Sequence, residues 1–256
     1  MSTLIVSYCD NLQTIAFNRP QKRNAINYQC YNDVVKALEE GGQNESVSVT
    51  LLTGIGEFYS SGTDLMDDSN TDVNQRLAAT YNFVKAFIDY PKLLVALVNG
   101  PAIGIACTTL GLCDLVYAQE KATFSCPFHK LGLTAEGCST ITFPLIMGKL
   151  RATEFLLSGK TITAREAFQM GFVNEIVDNG TVGHNNLIKK ITTQIAKNKM
   201  PLFYTKSMML QGPFGKKELH ESNRRECERL QERLNSNDFY NCLIDFLNKK
   251  TLKNKF

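Results

Sequence analysis

The sequence predicts an α/β fold with an α-helical segment at its C-terminal end. Short apolar runs typical of strands alternate with amphipathic helical segments up to Pro201, the order expected of repeated β–α units. After Pro201 no run has the period of a strand, and apolar residues recur at helical spacing. With 256 residues, 43% of them hydrophobic, the chain can bury a substantial core.

Strands are predicted where apolar residues alternate or run continuously between turn residues. The first two flank a Cys-Asp-Asn turn and form a hairpin, after which the polar, basic stretch 18–24 is a loop. The fourth is apolar throughout and is expected to be buried. The predicted strands span residues 4–8, 13–17, 47–52, 93–98, 114–118, 122–126 and 172–177.

Helices are predicted where apolar residues recur every three to four positions. Asn27 supplies an N-cap for the first, and the Gly-Gly pair at 41–42 is expected to end it. Thr163 and Glu166 form a capping box for a short helix that closes at Gly171. The acidic stretch 66–74 is predicted to be mobile. The predicted helical segments are 28–40, 73–88, a short one after Gly104, 136–147 broken at Pro144, 152–157, one over 187–195, 217–234 and 239–247.

Composition argues against several broad classes. A formal charge of +3 gives no electrostatic case for nucleic-acid or membrane binding, and no apolar run is long enough to span a bilayer. The chain opens with the strand-like TLIVSY, so we expect no signal peptide or basic presequence in it. Its last three residues, Asn-Lys-Phe, differ from the Ser-Lys-Leu peroxisomal address.

Cysteine and histidine spacing indicates neither disulfides nor metal. The eight cysteines contain no CxxC pair and mostly have apolar neighbours, so we expect free thiols in a reducing intracellular compartment. His129, His184 and His220 are far apart and lack zinc-site spacing. We expect no metal site.

Two small-residue turns carry the functional signal. VNGPAIGIACTTLGLCDLVYA, residues 98–118, begins with a turn in which Gly104 leads into a short helix, and GEFYSSGTDL, residues 56–65, follows another strand. Small residues let the backbone approach a ligand, and the first amides of a helix have no partner within it. The two turns could place two amides around one oxygen. Alone, each is equally an ordinary turn of an α/β protein.

Together with NRPQKRNAIN at 18–27, AEGCST at 135–140 and ITAREAFQMGFVNEIV at 162–177, these turns resemble the crotonase (enoyl-CoA hydratase/isomerase) superfamily, in its order and over nearly the whole chain. The resemblance is greatest to Δ3,Δ2-enoyl-CoA isomerases of peroxisomal or mitochondrial type. It implies the ClpP/crotonase-like spiral of ββα units with the active site in residues 1–200. It also implies a C-terminal helical trimerisation subdomain in residues 201–256.

The resemblance also implies catalytic residues. The backbone N–H groups of Thr63 and Ile105 correspond to the oxyanion hole, and one such donor is typically worth about 3 kcal/mol. The two glutamates of the hydratases fall at Thr108 and Phe128, which cannot do their work. Glu136 falls at the single glutamate of the isomerases, so we expect it to be the catalytic acid–base. From local sequence alone, a helix-start carboxylate is the favoured interpretation of Glu136, and the resemblance is what favours catalysis.

We expect apolar neighbours of Glu136, namely Leu133, Ala135, Ile141 and Phe143, to desolvate it and raise its pKa. His129 and Cys107 are expected to be packing groups. The predicted substrate and CoA-binding residues are Lys22, Arg23, Ala25, Ser60, Ser61, Gly62, Thr63, Asp64, Leu65 and Gly104. Lys22 and Arg23 also fit a solvated basic loop, and Asp64 also fits a brace for its turn. A solvated basic C-terminus is the default interpretation of the tail lysines, and contact with a phosphate is the alternative. These lysines are Lys249, Lys250, Lys253 and Lys255.

The leading hypothesis is an isomerase that moves the double bond of a 3-enoyl-CoA to the 2-trans position during β-oxidation of unsaturated fatty acids. The alternatives are a non-catalytic acyl-CoA-binding or scaffold protein and, behind both, an enoyl-CoA hydratase. No cofactor is expected beyond the coenzyme A of the substrate. A peroxisomal or mitochondrial-matrix homotrimer or hexamer is expected, assembled through apolar tail residues: Met208, Met209, Leu210, Leu243, Phe246 and Leu247.

Overall fold

Residues 2–67, 71–195, 197–212 and 215–253 are described in the computed structural model. Its strands are β1 Leu4–Cys9, β2 Leu12–Phe17, β3 Val49–Gly54, β4 Leu93–Val98, β5 Ala102–Ile103, β6 Leu115–Gln119, β7 Thr123–Ser125, β8 Thr161–Thr163 and β9 Glu175–Val177. Its helices are α1 Tyr28–Gln43, α2 Val73–Asp89, α3 Ile105–Thr108, α4 Ser139–Met147, α5 Lys149–Ser158, α6 Ala164–Gln169, α7 Gly180–Lys190, α8 Lys199–Met209, α9 Lys216–Leu234 and α10 Asn237–Lys253.

Six strands form the main sheet in the order β1-β2-β3-β4-β6-β9, and β5-β7-β8 form a second, smaller sheet. Only the β1–β2 pair of the main sheet is antiparallel, with Leu4 opposite Phe17. Every residue of the central strand β4 is buried, as expected of a parallel sheet covered on both faces. The predicted α/β architecture is confirmed, and so is the predicted N-terminal hairpin.

The two faces of the main sheet bury different sets of side chains, because successive residues of a strand point to opposite sides. One face packs with α1 and α2, through residues such as Ile15, Leu52, Leu94, Val34 and Phe83. The other packs against α7 and the residues after it, through Val49, Leu51, Val95, Leu187 and Ile191. The sheet therefore lies between two helical layers.

The caps that the sequence predicts are present. Asn27 accepts a hydrogen bond from the Cys30 N–H at the start of α1, and Thr163 and Glu166 form both halves of the box that begins α6. The predicted end of α1 is wrong, because the helix continues through both glycines to Gln43. A Cβ atom at Gly41 would collide with the Gln13 side chain, so this glycine serves close helix–sheet packing rather than termination.

The predicted helix over residues 136–147 begins later, at Ser139. Gly137 and Cys138 both have a positive φ, 70° and 60°, which cannot continue a right-handed helix. Glu136 therefore lies in a turn. The expected break at Pro144 is also wrong, since α4 passes through it to Met147.

Four further elements differ from the sequence-based expectation. The turn residues 102–103 form the short strand β5, and 161–163 form the short strand β8. The last strand begins at Glu175 because the buried Phe172 and Val173 lie in the preceding loop. The helix expected over 187–195 is α7 followed by a π-helical turn, Ile191–Ile195. Of the stretch predicted to be mobile, residues 68–70 lie outside the described part, and Val73 already belongs to α2.

The C-terminal helices pack back onto the core. Asn223 of α9 donates a hydrogen bond to the Tyr81 carbonyl of α2 (3.1 Å), and Arg233 donates to the Gly132 carbonyl (2.8 Å). The predicted boundary between residues 200 and 201 falls within the first turn of α8. Among the described residues, no helix combines the length and the apolar character that crossing a membrane requires.

Candidate active site

The two turns singled out in the sequence lie side by side. Ser60 accepts a hydrogen bond from the Ile103 N–H (3.0 Å) and donates its own N–H to the Pro101 carbonyl (3.2 Å). Gly62 has a φ of 80°, and a Cβ atom there would lie 2.5 Å from the Ile103 carbonyl oxygen and 3.7 Å from the Gly104 Cα. Only glycine permits this approach. Residues 63 and 105, which follow Gly62 and Gly104, therefore lie close together.

Both turns present an unused backbone donor. The Ile26 N–H donates to the Gly62 carbonyl, and the Ile26 carbonyl accepts the Asp64 N–H. The N–H of Thr63, which lies between them, takes no part in this pairing. Gly104, with a φ of 59°, precedes α3, and Ile105 supplies the first amide of that helix. Within the described part of the chain neither the Thr63 nor the Ile105 N–H donates to any acceptor. Two free amides on adjacent turns suit the binding of a single oxyanion.

The loop at residues 18–27 braces the first of these turns. Asn24, with a φ of 54°, donates to the carbonyls of Ile55 (2.9 Å) and Phe58 (2.8 Å). Ser60 Oγ donates to the Asn24 carbonyl (2.7 Å), and Arg19 forms an ion pair with Asp64 (2.9 Å). Asp64 therefore stabilises its turn, which is the alternative role that the sequence predicted for it.

Several predicted CoA-binding residues share this region. Lys22 and Arg23 are exposed, and the Arg23 guanidinium lies 5.5 Å from the centre of the Phe58 ring. The Arg23 carbonyl accepts the Ser61 N–H (3.0 Å), and the buried Ala25 offers its carbonyl to Arg19. Leu65 is half-buried at the end of the turn. Contact of these residues with CoA stays a prediction, as does that of Lys249, Lys250, Lys253 and Lys255, whose side chains lie outside the described residues.

Glu136 is 6% exposed, and no donor among the described residues reaches its carboxylate. Burial, and to a smaller extent the charge of Glu226, raise its pKa from 4.5 to about 8. The ionised Glu136 in turn raises the pKa values of the buried Cys126 and Cys227, after the larger effect of burial itself. A buried carboxylate that nothing stabilises is a strong base for its type.

Tyr31 connects Glu136 to the Thr63 turn. Its hydroxyl shares a hydrogen bond with Thr63 Oγ1 (2.8 Å). Burial raises the pKa of the Tyr31 phenol, and the Glu136 charge adds to that rise, so the two groups interact electrostatically. Tyr31 is one of the buried residues of α1, and the sequence does not distinguish it from its apolar neighbours, although a buried hydroxyl usually has a polar partner.

The two positions at which the hydratases have glutamates also border this site. The Thr108 side chain lies against Gly137, where a Cβ atom would collide with its hydroxyl. That hydroxyl donates to the Ile105 carbonyl (3.2 Å). The Phe128 ring lies 4.0 Å from where a Cβ atom of Gly104 would stand. Neither side chain can act as an acid or base, so Glu136 is the carboxylate of this constellation.

Glu226, which sequence reasoning missed, holds the turn after Glu136. Its carboxylate accepts hydrogen bonds from the N–H groups of Cys138 (2.6 Å) and Thr140 (3.0 Å) and from the Thr140 hydroxyl (2.5 Å). The helix-start role considered for Glu136 thus belongs to Glu226. Its sequence signal is weak: a glutamate in the buried stripe of α9, between Leu219 and Leu230.

The expected apolar wall of Glu136 is only partly as predicted. Phe143 instead packs against Phe155 and Phe172, with ring centres 5.8 and 4.9 Å away. Leu133, Ala135 and Ile141 line a cavity of about 680 Å³, which Glu226 borders and to which Glu136 itself does not contribute. Cys107 is buried as expected, whereas His129 is exposed and its ring lies against Gly159, where a Cβ atom would stand 2.6 Å from it.

Within the described ranges no three His, Cys, Asp or Glu side chains converge so as to hold a metal ion. All eight cysteines are unpaired, as expected, with Cys9 exposed.

Comparison with known proteins agrees with this geometry. Residues 9–255 match the family described as enoyl-CoA hydratase/isomerase. The chain is 40% identical to "Enoyl-CoA delta isomerase 2" of Homo sapiens over 97% of its own length, and it spans 64% of that relative. It is 39% identical to "Enoyl-CoA delta isomerase 3, peroxisomal" of Mus musculus, over 96% of this chain and 78% of that relative.

A crystal structure of an enoyl-CoA hydratase/isomerase from Pseudoalteromonas atlantica superposes with a TM-score of 0.88 at 30% identity. The superposition covers 96% of this chain and 97% of the other. The likeness covers nearly the whole chain, so the fold is of the crotonase type.

Proposed function

This chain belongs to the enoyl-CoA hydratase/isomerase family, and from that premise we propose that it is a Δ3,Δ2-enoyl-CoA isomerase. In this proposal it moves a 3-cis or 3-trans double bond of a fatty acyl-CoA to the 2-trans position during β-oxidation of unsaturated fatty acids. The observation that carries the proposal is one buried carboxylate, free of donors, whose neighbour Gly137 packs against Thr108 of the helix that begins with one of two adjacent free amides. The relatives named as delta isomerases support the same activity.

The proposed reaction needs one proton shuttle and one oxyanion site. The thioester oxygen accepts hydrogen bonds from the Thr63 and Ile105 N–H groups, which stabilise the negative charge that develops there. Glu136 removes a proton from C2, and the electrons of that C–H bond spread over a dienolate. The dienolate then takes the proton from Glu136 at C4, leaving a C2–C3 double bond and restoring the carboxylate.

The same geometry disfavours water addition. Hydration requires a group that activates a water molecule and one that protonates the α-carbon, and the family's hydratases use two glutamates for this. The corresponding positions hold the buried Thr108 and the aromatic Phe128. Because the single carboxylate both takes and returns the proton, the proposed reaction needs no cofactor besides the coenzyme A already joined to the substrate.

We further propose a homotrimer or hexamer in the peroxisome or the mitochondrial matrix. Exposed apolar side chains on the tail helices support self-association, among them Met208 (64% exposed) and Met209 (76%). A second set, which the sequence did not single out, lies on α4, α5 and α6: Leu145, Ile146, Leu150, Leu157 and Phe168. The word "peroxisomal" in the name of the mouse relative supports the first compartment.

A coupled assay that compares isomerisation of 3-enoyl-CoA with hydration of 2-enoyl-CoA tests the proposed function. We expect isomerisation to dominate. Fast hydration without isomerisation would identify a hydratase. Binding of acyl-CoA with neither activity would identify a non-catalytic binding protein.

A further inference from the structure

The turn that follows Glu136 has a conformation that its own residues do not favour. Gly137 and Cys138 lie in succession in the left-handed region, at φ 70° and 60°, which is uncommon for a residue with a side chain. Helix α4 then begins at Ser139, and the side chain at its N-cap, Cys138, makes no capping hydrogen bond. The turn therefore relies on a group from elsewhere in the chain.

That group is the carboxylate of Glu226, 88 residues further along the chain. Its Oε2 accepts the Cys138 N–H and its Oε1 accepts the Thr140 N–H. Since a backbone N–H can only donate, each oxygen faces a fixed donor, and the ionised form fits this arrangement. Ser222 and Thr140 add hydroxyl donors to Oε1, at 3.4 and 2.5 Å.

We propose that Glu226 is a positioning residue for Glu136. It holds the Gly137–Cys138 turn so that the Glu136 carboxylate faces the oxyanion turns, and it stands beside that carboxylate as a fixed negative charge that keeps it a strong base. This inference rests on the proposed function, because it assigns Glu226 a part in the same proton transfer. Glu226 acts through Glu136 and is given no contact with substrate.

The surroundings of Glu136 explain why Glu226 is the charge that matters. Three other titratable groups interact with the charge of Glu136: Tyr31 of α1, Cys126 directly after β7, and Cys227 of α9. Burial raises the pKa of each of these three groups, so they are neutral near neutral pH. Glu226 is the group whose charge raises the pKa of Glu136 beyond what burial does. Burial raises the pKa of Glu226 too, against the effect of its hydrogen bonds.

Two substitutions distinguish the effect of the Glu226 charge from the effect of its side-chain length. Glu226→Gln keeps the length and one acceptor oxygen but removes the charge. The acidic inflection of kcat/KM against pH, which reports ionisation of the base in the free enzyme, should move to lower pH. Glu226→Asp keeps the charge but shortens the side chain, so kcat should fall by up to about 100-fold through misplacement of Glu136, with KM little changed and the inflection unmoved.

Glu232→Gln is the matched control, because it removes a negative charge from the same helix at an exposed side chain that pairs with Arg229. We expect wild-type kcat, KM and pH profile. If Glu226→Gln and Glu226→Asp lower kcat equally and leave the inflection at the wild-type pH, Glu226 is merely structural and the proposal is overturned. Should Glu226→Gln fail to fold, an unchanged KM with lowered kcat in Glu226→Asp supports the proposal, and a wild-type kcat overturns it.

A second measurement does not depend on activity. In protein labelled with ¹³C at glutamate side-chain carboxyls, one resonance should titrate near pH 8, vanish in Glu136→Gln and titrate at lower pH in Glu226→Gln. If the wild type lacks isomerase activity but this resonance moves, the proposed function fails while the link between the two glutamates stands. If isomerisation is observed and the resonance does not move, the positioning proposal alone is overturned.

Discussion

Arg19 and Asp64 form an ion pair, 2.9 Å between Nη1 and Oδ2, that joins the loop before α1 to the turn carrying Thr63. Their side chains are only 20% and 12% exposed. The same Nη1 donates to the Ala25 carbonyl (2.5 Å). One guanidinium thus connects residues 19, 25 and 64, the last of which is adjacent to Thr63 of the candidate oxyanion hole.

Replacing Arg19 with Met should therefore weaken both the fold and the site. It leaves a half-buried carboxylate without its partner, which costs about 1–3 kcal/mol for hydrogen bonds to charged groups. Urea unfolding measures that loss in the free energy of unfolding. Arg19→Lys, which keeps the charge, should lose less. Equal stability of Arg19→Met and wild type would mean that the pair does not support the turn.

Glu136→Gln should abolish the proposed proton shuttle while leaving the shape of the site intact. Turnover of 3-enoyl-CoA should fall by about 100- to 10,000-fold, the usual contribution of a positioned acid–base group. Glu136→Asp should fall less, because it keeps the carboxylate and misplaces it. Acyl-CoA affinity, measured by calorimetry, should be close to that of wild type. A folded Gln variant that retains more than about a tenth of wild-type turnover lies outside that range and removes Glu136 from the mechanism.

Thr63 distinguishes a backbone donor from a side-chain donor. Thr63→Ala keeps the amide and removes only the hydroxyl that shares a hydrogen bond with Tyr31, so the effect on turnover should be mild. Thr63→Pro removes the N–H and should lower turnover by about 100-fold or more. Circular dichroism checks that the variant is folded. Equal losses in the two variants would assign the role to the hydroxyl.

The raised pKa of Glu136 makes a prediction about stability. Its pKa is 4.5 ordinarily and about 8 in the folded protein, so the folded state binds the proton more tightly. The resulting stabilisation is complete below pH 4.5 and is lost as the pH rises towards 8. Relative to wild type, Glu136→Gln should therefore gain unfolding free energy as the pH rises through this window.

Denaturant titrations across that pH range measure the difference between the two proteins. Glu232→Gln, which removes an exposed carboxylate, provides the comparison and should follow the wild type at every pH. A constant difference between Glu136→Gln and wild type would show that Glu136 ionises normally in the folded state.

Self-association can be measured directly by light scattering at micromolar concentration, where we expect three or six chains. Leu150, 84% exposed on α5, belongs to the apolar set on α4–α6, and Leu150→Glu should shift the mass towards the monomer. Val182, 66% exposed on α7, lies outside both apolar sets, so Val182→Glu should leave the mass unchanged. A monomeric wild type would contradict the proposed assembly.

The sequence predicted the main sheet well, because its strands are strongly apolar and bounded by turn residues. It predicted less well where backbone conformation depends on distant packing. Gly41 was expected to end a helix, but it lies mid-helix against Gln13 of β2. Residues 136–138 were expected to begin a helix, but they form a turn whose Cys138 N–H donates to Glu226 of α9.

The same distinction applies to the candidate site. Glu136, Thr63 and Ile105 lie within local motifs and could be proposed from them. Tyr31 and Glu226 lie on helices whose sequences show only an apolar stripe. Their interactions with Glu136 and its turn form only when α1 and α9 pack onto the core. The residue spacing within either helix therefore could not predict these interactions.

Helix α9 also sets the order in which this protein can become functional as it is synthesised. Strands β1 to β4 and both oxyanion turns are translated in the first half of the chain, and N-terminal regions generally fold first on the ribosome. The acceptor for the Cys138 and Thr140 amides is residue 226 of 256. A nascent chain, or a message truncated before α9, would thus carry Glu136 on a turn that nothing yet holds.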